Sequence, residues 1–431
     1  MSATDYEAIP EVSGDAAAER VGVVVMKFGG TSVGSPEKLL AVAKRIVAAR
    51  DEGSRVVAVL SAMGHTTDEL IELAHEISAA PKPRAMDMLV SVGERISCAL
   101  AEMAIEDLGH EAISLTGSQA GIVTDTAHTK AKIVDIRAQR IHEALNDDKI
   151  VLVAGFQGVS SEQEVTTLGR GGSDATAVAL AAALGADECQ IFTDVEGVFT
   201  ADPRLVPQAL KLPRISYEEM LEMAATGAKV MMARSIEIAR SYGVKLRVRP
   251  AHGDGEGTWI TEEDELMLEK AIISGVTHDT SEAKVAIFGV PDRPGIAAQL
   301  FRSLADAGVN VDMIVQNLSQ QGLTDISFTL PKSDLATAKP IIDAVSGEIG
   351  ADHVEEDSDI AKVSLVGAGM RSHPGIAADM FDALAGAGIN IEIISTSSIR
   401  ISCVVRAADV ERAVQAIHER FQLVAEERVG V

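Results

Sequence analysis

The 431-residue chain is 47% hydrophobic, which suffices for the cores of about two to four domains and excludes disorder along its whole length. With 64 acidic against 38 basic residues its formal net charge is −26, so its surface repels nucleic acids and anionic lipids. Cys98, Cys189 and Cys403 lie far apart without a CxxC pair, which argues against a disulfide framework or a zinc site. We expect three buried thiols in a reducing cytoplasm.

The N-terminal segment carries no targeting pattern. Residues 1–20 are small, polar and acidic, and they predict a disordered tail without a signal peptide. The longest apolar run, VALAAALGA, is too short to cross a membrane. We therefore expect a cytoplasmic protein without nucleic-acid or membrane partners.

Strand-like and helical segments alternate between residues 21 and 250. The strand-like runs are VGVVVM (21–26), RVVAVLSAM (55–63), KIVLVAGF (149–156), CQIFTDV (189–195) and VKLRVR (244–249). The helical segments are 36–50, TTDELIELAHEIS, SDATAVALAAAL, SYEEMLEMAATGA and RSIEIARSYG. This alternation predicts an α/β domain at 21–250 with a mainly parallel sheet sandwiched by helices. Turn-forming residues at 250–259 then predict a linker at 251–275.

An internal repeat fills the C-terminal third of the chain. AKVAIFGVPDRPGIAAQLFRSLADAGVNVDMI begins at Ala283, and AKVSLVGAGMRSHPGIAADMFDALAGAGINIEII begins at Ala361. Each copy is typical of a strand, a Pro-Gly turn, an amphipathic helix and a second strand, followed by a further strand and helix. We predict two tandem βαββαβ ferredoxin-like modules at 276–350 and 351–431. Duplicated scaffolding for oligomerisation is the simplest explanation of such a pair.

Four stretches of the first half indicate chemistry. In Lys27-Phe28-Gly29-Gly30-Thr31-Ser32, a lysine and two glycines follow a strand, at the edge where open parallel sheets bind ligands. Glycine amides and an ammonium suit phosphate oxygens, although a tight turn with a solvated lysine explains the pattern nearly as well. In TTLGRGGSDATA (166–177), Arg170 lies between glycines and can hold a carboxylate, while Ser173 or Asp174 can cap the next helix.

The other two stretches are less specific. TDVEGVFTADPR (193–204) follows a strand and can wrap a nucleobase and ribose, or be an ordinary strand–turn–strand. In TGAKVMMARS (226–235), Lys229 is a candidate interior cation or a solvated lysine at a helix end. The sequence lacks the Walker A loop, the dinucleotide fingerprint and the nucleophile elbow. None of the histidines has metal-ligand spacing, including His65, His75, His110, His128 and His142.

The motifs KFGGTS, VGERIS, GFQG, TTLGRGGSD, TDVEGVFTADPR and GAKV occur in this order before the two PGIAA segments. In these motifs the chain resembles the aspartate kinases of the amino-acid-kinase superfamily, most closely the lysine- and threonine-sensitive actinobacterial type. The resemblance runs from about Val21 to Leu423. It implies an amino-acid-kinase catalytic domain followed by two ACT domains. It also implies ATP-dependent conversion of L-aspartate to 4-phospho-L-aspartate, the first step towards lysine, threonine and methionine.

The implied reaction agrees with the residues present. The side-chain carboxylate of the substrate has a pKa of about 4 and is already ionised, so no general base is required. The obstacle is repulsion between two anions, which Lys27, Lys229, the glycine amides and Mg²⁺ would reduce. We therefore expect ATP and Mg²⁺ as cofactors, with the ion bound mainly through nucleotide phosphates.

The resemblance also implies roles for individual residues. Lys27 bridges the reacting groups, Arg170 clamps the α-carboxylate and Glu94 binds the α-ammonium. The catalytic set is Lys27, Arg170, Asp174 (which holds the lysine) and Lys229, and the substrate set is Thr31, Ser61, Thr66, Glu94, Arg170 and Ser173. The nucleotide set is Lys27, Phe28, Gly29, Gly30, Thr193, Asp194, Phe199, Asp202, Arg204 and Lys229. Phe199 occupies a position where many relatives carry tyrosine. Phenylalanine can still pack on adenine but cannot make the hydroxyl contact.

The ACT repeats are expected to bind lysine, threonine or both as inhibitors. The effector set is Asp292, Gly295, Asn310, Val311, Asp312, Gln316 and Asn317 in the first repeat, and Ile376, Ala377, Asn390, Ile391, Ser397 and Ser398 in the second. Ser398 replaces a glutamate of close relatives, which should weaken recognition of a lysine ammonium. We expect a homo-oligomer, or an assembly with a separately translated ACT fragment. Met267 is a candidate start of such a fragment, or an ordinary methionine of a boundary helix. Two other functions stay open: a kinase for another small carboxylate, and a catalytically inactive amino-acid sensor.

Overall fold

The computed structural model describes residues 22–262, 273–317 and 322–423. The predicted tail at 1–20 and the candidate start at Met267 lie outside these ranges. Within them, no helix is both long enough and apolar enough to cross a membrane.

The first half of the chain contains strands β1–β12 and helices α1–α8. The strands are β1 (Val23–Phe28), β2 (Arg55–Leu60), β3 (Ala112–Leu115), β4 (Ile122–Thr124), β5 (Ile133–Ile136), β6 (Ile150–Ala154), β7 (Gln157–Ser160), β8 (Val165–Thr167), β9 (Glu188–Thr193), β10 (Arg214–Ser216), β11 (Leu246–Pro250) and β12 (Thr258–Thr261). The helices are α1 (Pro36–Asp51), α2 (Thr66–Ile77), α3 (Pro83–Val90), α4 (Val92–Asp107), α5 (Gln139–Asn146), α6 (Gly172–Leu184), α7 (Tyr217–Ala225) and α8 (Ala233–Tyr242).

These strands form an eight-stranded sheet in the order β10-β12-β11-β9-β1-β2-β6-β3 and a smaller sheet in the order β5-β4-β7-β8. In the large sheet every neighbouring pair is parallel except β11 with β12. The predicted α/β fold with a mainly parallel sheet is therefore confirmed. Strand β12 lies inside the segment predicted as a linker, because Trp259 and its neighbours pair with β11 and extend the sheet.

The large sheet is buried on both faces. Along β1, Val23 and Val25 pack into one hydrophobic cluster, and Val24, Met26 and Phe28 pack into the other. Successive side chains of a strand point to opposite faces, so a continuous apolar run is what such a strand requires. The strand ends therefore emerge from a rigid core.

The second half contains two four-stranded sheets. Its strands are β13 (Gly275–Asp279), β14 (Glu282–Pro291), β15 (Ile314–Gln316), β16 (Leu323–Pro331), β17 (His353–Asp357), β18 (Ile360–Val366), β19 (Ile393–Thr396) and β20 (Arg400–Arg406). Its helices are α9 (Ile296–Asp306), α10 (Leu335–Ile349), α11 (Ile376–Gly386) and α12 (Val410–Arg420). The sheet orders are β15-β16-β14-β17 and β13-β18-β20-β19.

The pairing of these strands differs from the predicted module boundaries. Strand β13 precedes the first repeat, yet it pairs with β18 of the second, from Gly275 opposite Val366 to Asp279 opposite Lys362. Strand β17 was predicted within the second module, 351–431, but pairs with β14 of the first. In each unit an outer strand pairs antiparallel with the first strand of the repeat. The second unit takes this strand from the chain before the first unit, which is therefore inserted into it.

Charged side chains join the two units across their sheets. Lys362 is only 1% exposed and contacts both Glu282 and Asp312 of the first unit. Burial opposes its charged form, but these carboxylates raise the pKa of Lys362 above its ordinary value. Nearby, Lys284 contacts Glu392. The two units therefore share a buried ionic contact beside apolar packing.

We expect Lys362→Ala to lower the free energy of unfolding by about 3–5 kcal/mol, because it leaves the buried carboxylate of Glu282 without its cation. Urea denaturation measures the change. Lys339→Ala is the matched control, since the Lys339–Glu356 pair is exposed and should contribute little to stability. Equal effects of the two substitutions would contradict the interpretation.

Candidate functional site

A cavity of 480 Å³ opens beyond the carboxyl ends of the central strands. Many of the sequence-predicted site residues line it: Lys27, Gly29, Gly30, Ser61, Glu94, Arg170, Ser173 and Asp174. These residues come from β1 and the loop after it, from the loop after β2, from α4, and from the glycine loop that leads into α6. The structure thus brings together motifs that are far apart in sequence.

Lys27 and Asp174 form an ion pair within this cavity. Lys27 Nζ lies 2.6 Å from Asp174 Oδ1, and the two side chains are 13% and 10% exposed. The chain after Lys27 runs close to the loop that follows β2, where a Cβ on Gly30 would lie 2.8 Å from the carbonyl oxygen of Ala62. Only glycine fits this approach, and it leaves backbone amides uncovered at the end of β1.

The glycine loop delivers the second charged group. Helix α6 starts at Gly172, and Ser173 and Asp174 lie in its first turn facing the cavity. Neither side chain caps the helix, so the predicted capping role is wrong; Gly171 occupies that position. Arg170 is exposed, and within the described residues its guanidinium has no hydrogen bond or ion pair. A free guanidinium at a cavity rim suits a carboxylate ligand.

Glu94 is a buried carboxylate with one oxygen unsatisfied. It is 3% exposed, and its Oε1 accepts a hydrogen bond from the backbone N–H of Ala62 at 3.3 Å. Its Oε2 has no partner among the described residues. Burial raises the pKa of Glu94 to about 7. With Arg170 and Glu94 both open to it, the cavity can bind a molecule that carries a carboxylate and an ammonium.

Other residues of the predicted catalytic and substrate sets lie elsewhere. Thr31 is exposed and does not line the cavity. Thr66 Oγ1 donates to the carbonyl oxygen of Met63 at 2.7 Å, and its neighbour Thr67 lines the cavity instead.

Phe28 of the predicted nucleotide set is fully buried and stacks on Phe192 with ring centroids 4.6 Å apart. Its side chain belongs to the core, so only its backbone can contact a nucleotide.

The rest of the predicted nucleotide set forms a second group outside the cavity lining: Thr193, Asp194, Phe199, Asp202, Arg204 and Lys229. Arg204 donates to both carboxylate oxygens of Asp202, at 3.0 and 2.7 Å. Lys229 is exposed, which fits the solvated alternative rather than an interior cation. The group begins at the end of β9, where Phe192 pairs with Phe28 of β1, so it lies at the same sheet edge as the cavity.

The second group lies against β13, the first strand of the second half of the chain. His278 of β13 is half-buried. Burial lowers its pKa, as do Lys229 and Arg204, while Asp202 and Asp279 act in the opposite direction. These charges therefore surround one imidazole.

Backbone and hydroxyl contacts reinforce this junction. Val276 N–H of β13 donates to the carbonyl oxygen of Thr200 at 2.7 Å, and the hydroxyl oxygens of Thr226 and Thr277 are 2.6 Å apart. Ser274 Oγ donates to Glu219 Oε1 at 2.6 Å. The chain segments that carry the second group are thus hydrogen-bonded to the start of the second half of the chain.

The predicted effector residues flank the same two places in each unit, the start of the helix and the following strand. Asp312 is already paired with Lys362. Ile376 is buried in the core of the second unit, so its side chain is not available to a ligand. Exposed residues of the set are Asp292, Gly295, Asn310, Asp312, Gln316, Asn317, Asn390, Ser397 and Ser398, and Val311, Ala377 and Ile391 are half-buried.

Several residues of the cavity wall belong to none of the predicted sets. Thr129, Phe156 and Thr167 line the cavity, and Asp87 is fully buried behind them. The available signal for Asp87 was one acidic residue in the apolar run AMDMLVSV. Thr129 and Thr167 lie in loops and short strands without a comparable signal.

Comparisons with known proteins agree with the observed architecture. Residues 22–250 match the amino acid kinase family, and residues 285–344 and 363–421 match ACT domains. An aspartokinase of Mycolicibacterium smegmatis is 54% identical over 94% of this chain and 97% of its own.

Two solved structures are also similar. E. coli aspartokinase III in complex with aspartate and ADP has a TM-score of 0.80 at 25% identity, covering 92% of this chain and 99% of that one. The same enzyme in complex with lysine and aspartate has a TM-score of 0.71 at 25% identity, covering 93% and 99%.

The raised pKa of Glu94 is directly measurable. In the ligand-free protein Glu94 should be protonated below pH 7 and ionised above it, because burial disfavours the carboxylate. Infrared difference spectra between wild type and Glu94→Gln should show a protonated-carboxyl band that disappears around this pH. Glu106→Gln, exposed on the same helix, should leave the band unchanged. A Glu94 band that is lost by pH 5 would contradict the assignment.

Proposed function

Because the chain belongs to the aspartokinase family, we propose that it transfers the γ-phosphoryl group of ATP to the side-chain carboxylate of L-aspartate. The products are ADP and 4-phospho-L-aspartate, and the reaction opens the route to lysine, threonine and methionine. The observation that carries this proposal is one cavity that combines a free guanidinium, Arg170, with an unsatisfied buried carboxylate, Glu94. The similar E. coli enzyme was crystallised with aspartate and ADP.

Arg170 and Glu94 select an amino acid with both α-groups free. The guanidinium holds the α-carboxylate in two parallel hydrogen bonds. The α-ammonium binds the unsatisfied Oε2 of Glu94 and favours the ionised form of this carboxyl group. The attraction between the two charges offsets the cost of burying them. An N-acylated amino acid has no ammonium and would leave Glu94 unpaired.

The phosphoryl donor lies on the other side of Lys27. The amides of Gly29 and Gly30 and the ammonium of Lys27 face the transferred group, and Asp174 fixes the position of Lys27. Since the substrate carboxylate is already ionised, the residues need only orient it and shield its charge. We assign Mg²⁺ mainly to the nucleotide phosphates, whose oxygens the ion bridges in phosphoryl transfer.

The second group then contacts the nucleoside. Thr193 ends β9 and Asp194 follows it, beside the glycine amides, and the half-buried Phe199 can pack on adenine. Lys229 would approach the phosphates from the exposed side.

We also propose inhibition by lysine, threonine or both through the ACT units. A lysine complex of the similar E. coli enzyme supports a basic amino acid as effector. The contacts of β13 with Thr200 and Thr226 give the regulatory half a direct connection to the nucleotide group. ACT units that pair between chains would make the enzyme a homo-oligomer or an assembly with a separate ACT fragment.

A hydroxamate assay, which traps acyl phosphates, tests the proposal. We expect product with ATP and aspartate, and less product when lysine and threonine are added. Product with acetylglutamate but not aspartate would indicate a kinase for another carboxylate. No product with any carboxylate would indicate an inactive amino-acid sensor.

Arg170→Ala should reduce kcat/KM for aspartate by an amount corresponding to about 2–5 kcal/mol, because it removes a charged two-point contact. Steady-state kinetics with the hydroxamate assay measure it. Arg140→Ala, on the exposed face of α5, is the control and should leave kcat/KM near the wild-type value. Near-normal activity of Arg170→Ala would remove Arg170 from the site.

A further inference from the structure

Asp87 of α3 is a buried carboxylate whose hydrogen-bonding capacity is filled by one wall of the cavity. Its Oδ1 accepts from Thr167 Oγ1 at 2.5 Å, and both of its oxygens lie 3.1 Å from the backbone nitrogen of Thr129. Its Oδ2 lies 2.6 Å from Nδ1 of His128. Asp87 itself does not line the cavity, whereas its neighbours Met86 and Val90 do. The carboxylate therefore contacts residues of the cavity wall without being exposed to the cavity itself.

The residue that Asp87 holds has a strained backbone. Thr129 has φ = 66°, a left-handed conformation that is unfavourable for a β-branched residue. Such a conformation persists only where the surroundings enforce it. Here a charged acceptor on its amide, supplied by Asp87, does so. Thr129 lines the cavity, so the strain is located at the proposed substrate site.

The wall continues from Thr129 to Arg170. The carbonyl oxygen of Thr129 lies against Gly169, where an added Cβ would be 3.1 Å from it. The next residue but one, Ala131, donates its N–H to the carbonyl oxygen of Thr167 at 3.0 Å. The position of Gly169, directly before Arg170, thus depends on the segment that Asp87 holds.

A second charged side chain fixes the same segment from the opposite side. Arg234 of α8 donates from Nη1 to the carbonyl oxygens of Ala131 and Leu168, each at 3.3 Å. Two charged groups from distant helices are therefore used on a few residues of backbone. Apolar packing can stabilise a buried segment at least as well as a buried charge does. The use of two charged groups here therefore indicates that this segment must be held in one position.

We infer that Asp87 is a positioning residue for the substrate: its carboxylate holds Thr129 in the strained conformation and thereby fixes Gly169 and Arg170. This rests on the proposed function, since the group to be positioned is the one that binds the α-carboxylate of aspartate. Asp87 touches neither substrate nor nucleotide. Its loss should therefore weaken aspartate binding and leave nucleotide binding intact.

The first test is the kinetics of Asp87→Asn, which keeps the shape of the side chain but removes its charge. We expect KM for aspartate to rise about tenfold while KM for ATP changes less than about twofold, as loss of a charge-assisted bond predicts. Asp107→Asn, on the exposed end of α4, should change neither. An unchanged KM for aspartate, or an equal rise in both KM values, would overturn the inference.

A double-mutant cycle separates positioning from general destabilisation. Glycine adopts the left-handed conformation readily, so Thr129→Gly should raise the melting temperature. In that background Asp87→Asn should raise KM for aspartate by about threefold or less, because the strain no longer needs the carboxylate. The same tenfold rise in both backgrounds would mean that Asp87 does not act through Thr129.

Hydrogen exchange provides a readout that does not depend on the reaction. The amide of Thr129 should exchange about tenfold faster in Asp87→Asn than in wild type, and equal rates would contradict the inference. If Asp87→Asn does not fold, His128→Gln removes one partner from outside the cavity lining and should shift KM for aspartate and the exchange rate in the same direction, by about threefold. Wild-type enzyme without activity on aspartate would refute the proposed function, while the exchange data would still decide the role of Asp87.

Discussion

The ion pair between Lys27 and Asp174 joins the two motifs on which the site depends. Lys27 is carried by β1, a central strand with both faces buried, and Asp174 by the first turn of α6, a helix buried along most of its length. Neither element can shift without disturbing close packing. The 2.6 Å contact thus fixes the position of Gly29 and Gly30, which follow Lys27, relative to that of Arg170 and Ser173, which precede Asp174.

The degree to which each buried carboxylate is satisfied separates supporting roles from ligand-binding roles. Asp87 and Glu94 lie on consecutive helices, α3 and α4, and both are almost fully buried. Asp87 receives donors on both oxygens, whereas Oε2 of Glu94 has none among the described residues. An unsatisfied buried carboxylate is costly unless a ligand completes it. The same reasoning distinguishes Arg234, which donates to carbonyl oxygens, from Arg170, which has no hydrogen-bond or ion-pair partner among the described residues.

Much of this arrangement could be predicted from the sequence, for identifiable reasons. The strands β1, β2 and β6 are almost continuous apolar runs, β11 alternates apolar residues with arginines, and the residues at the ends of β1, β6 and β9 carry specific motifs. Contacts between distant residues could not be predicted in this way. Asp87 meets His128, Thr129 and Thr167 only because α3 packs beside β8 and the loop after β4. Likewise, the sequence of β13 does not indicate that it pairs with β18 rather than with β14.

The placement of β13 gives the C-terminal half of the chain direct contacts with the segments that carry the second group. Lys362 of β18 contacts Asp312 of the first unit, and in the register of the second sheet it lies opposite Asp279 of β13. The preceding residue of β13, His278, faces the charges of Asp202 and Lys229. A ligand that drew Asp312 away from Lys362 would leave the buried ammonium of Lys362 without one of its partners. Lys362 lies one strand away from the second group. β13 is hydrogen-bonded both to β18 and, through Val276, to Thr200 beside the second group, so β13 is the element through which the proposed inhibition would act.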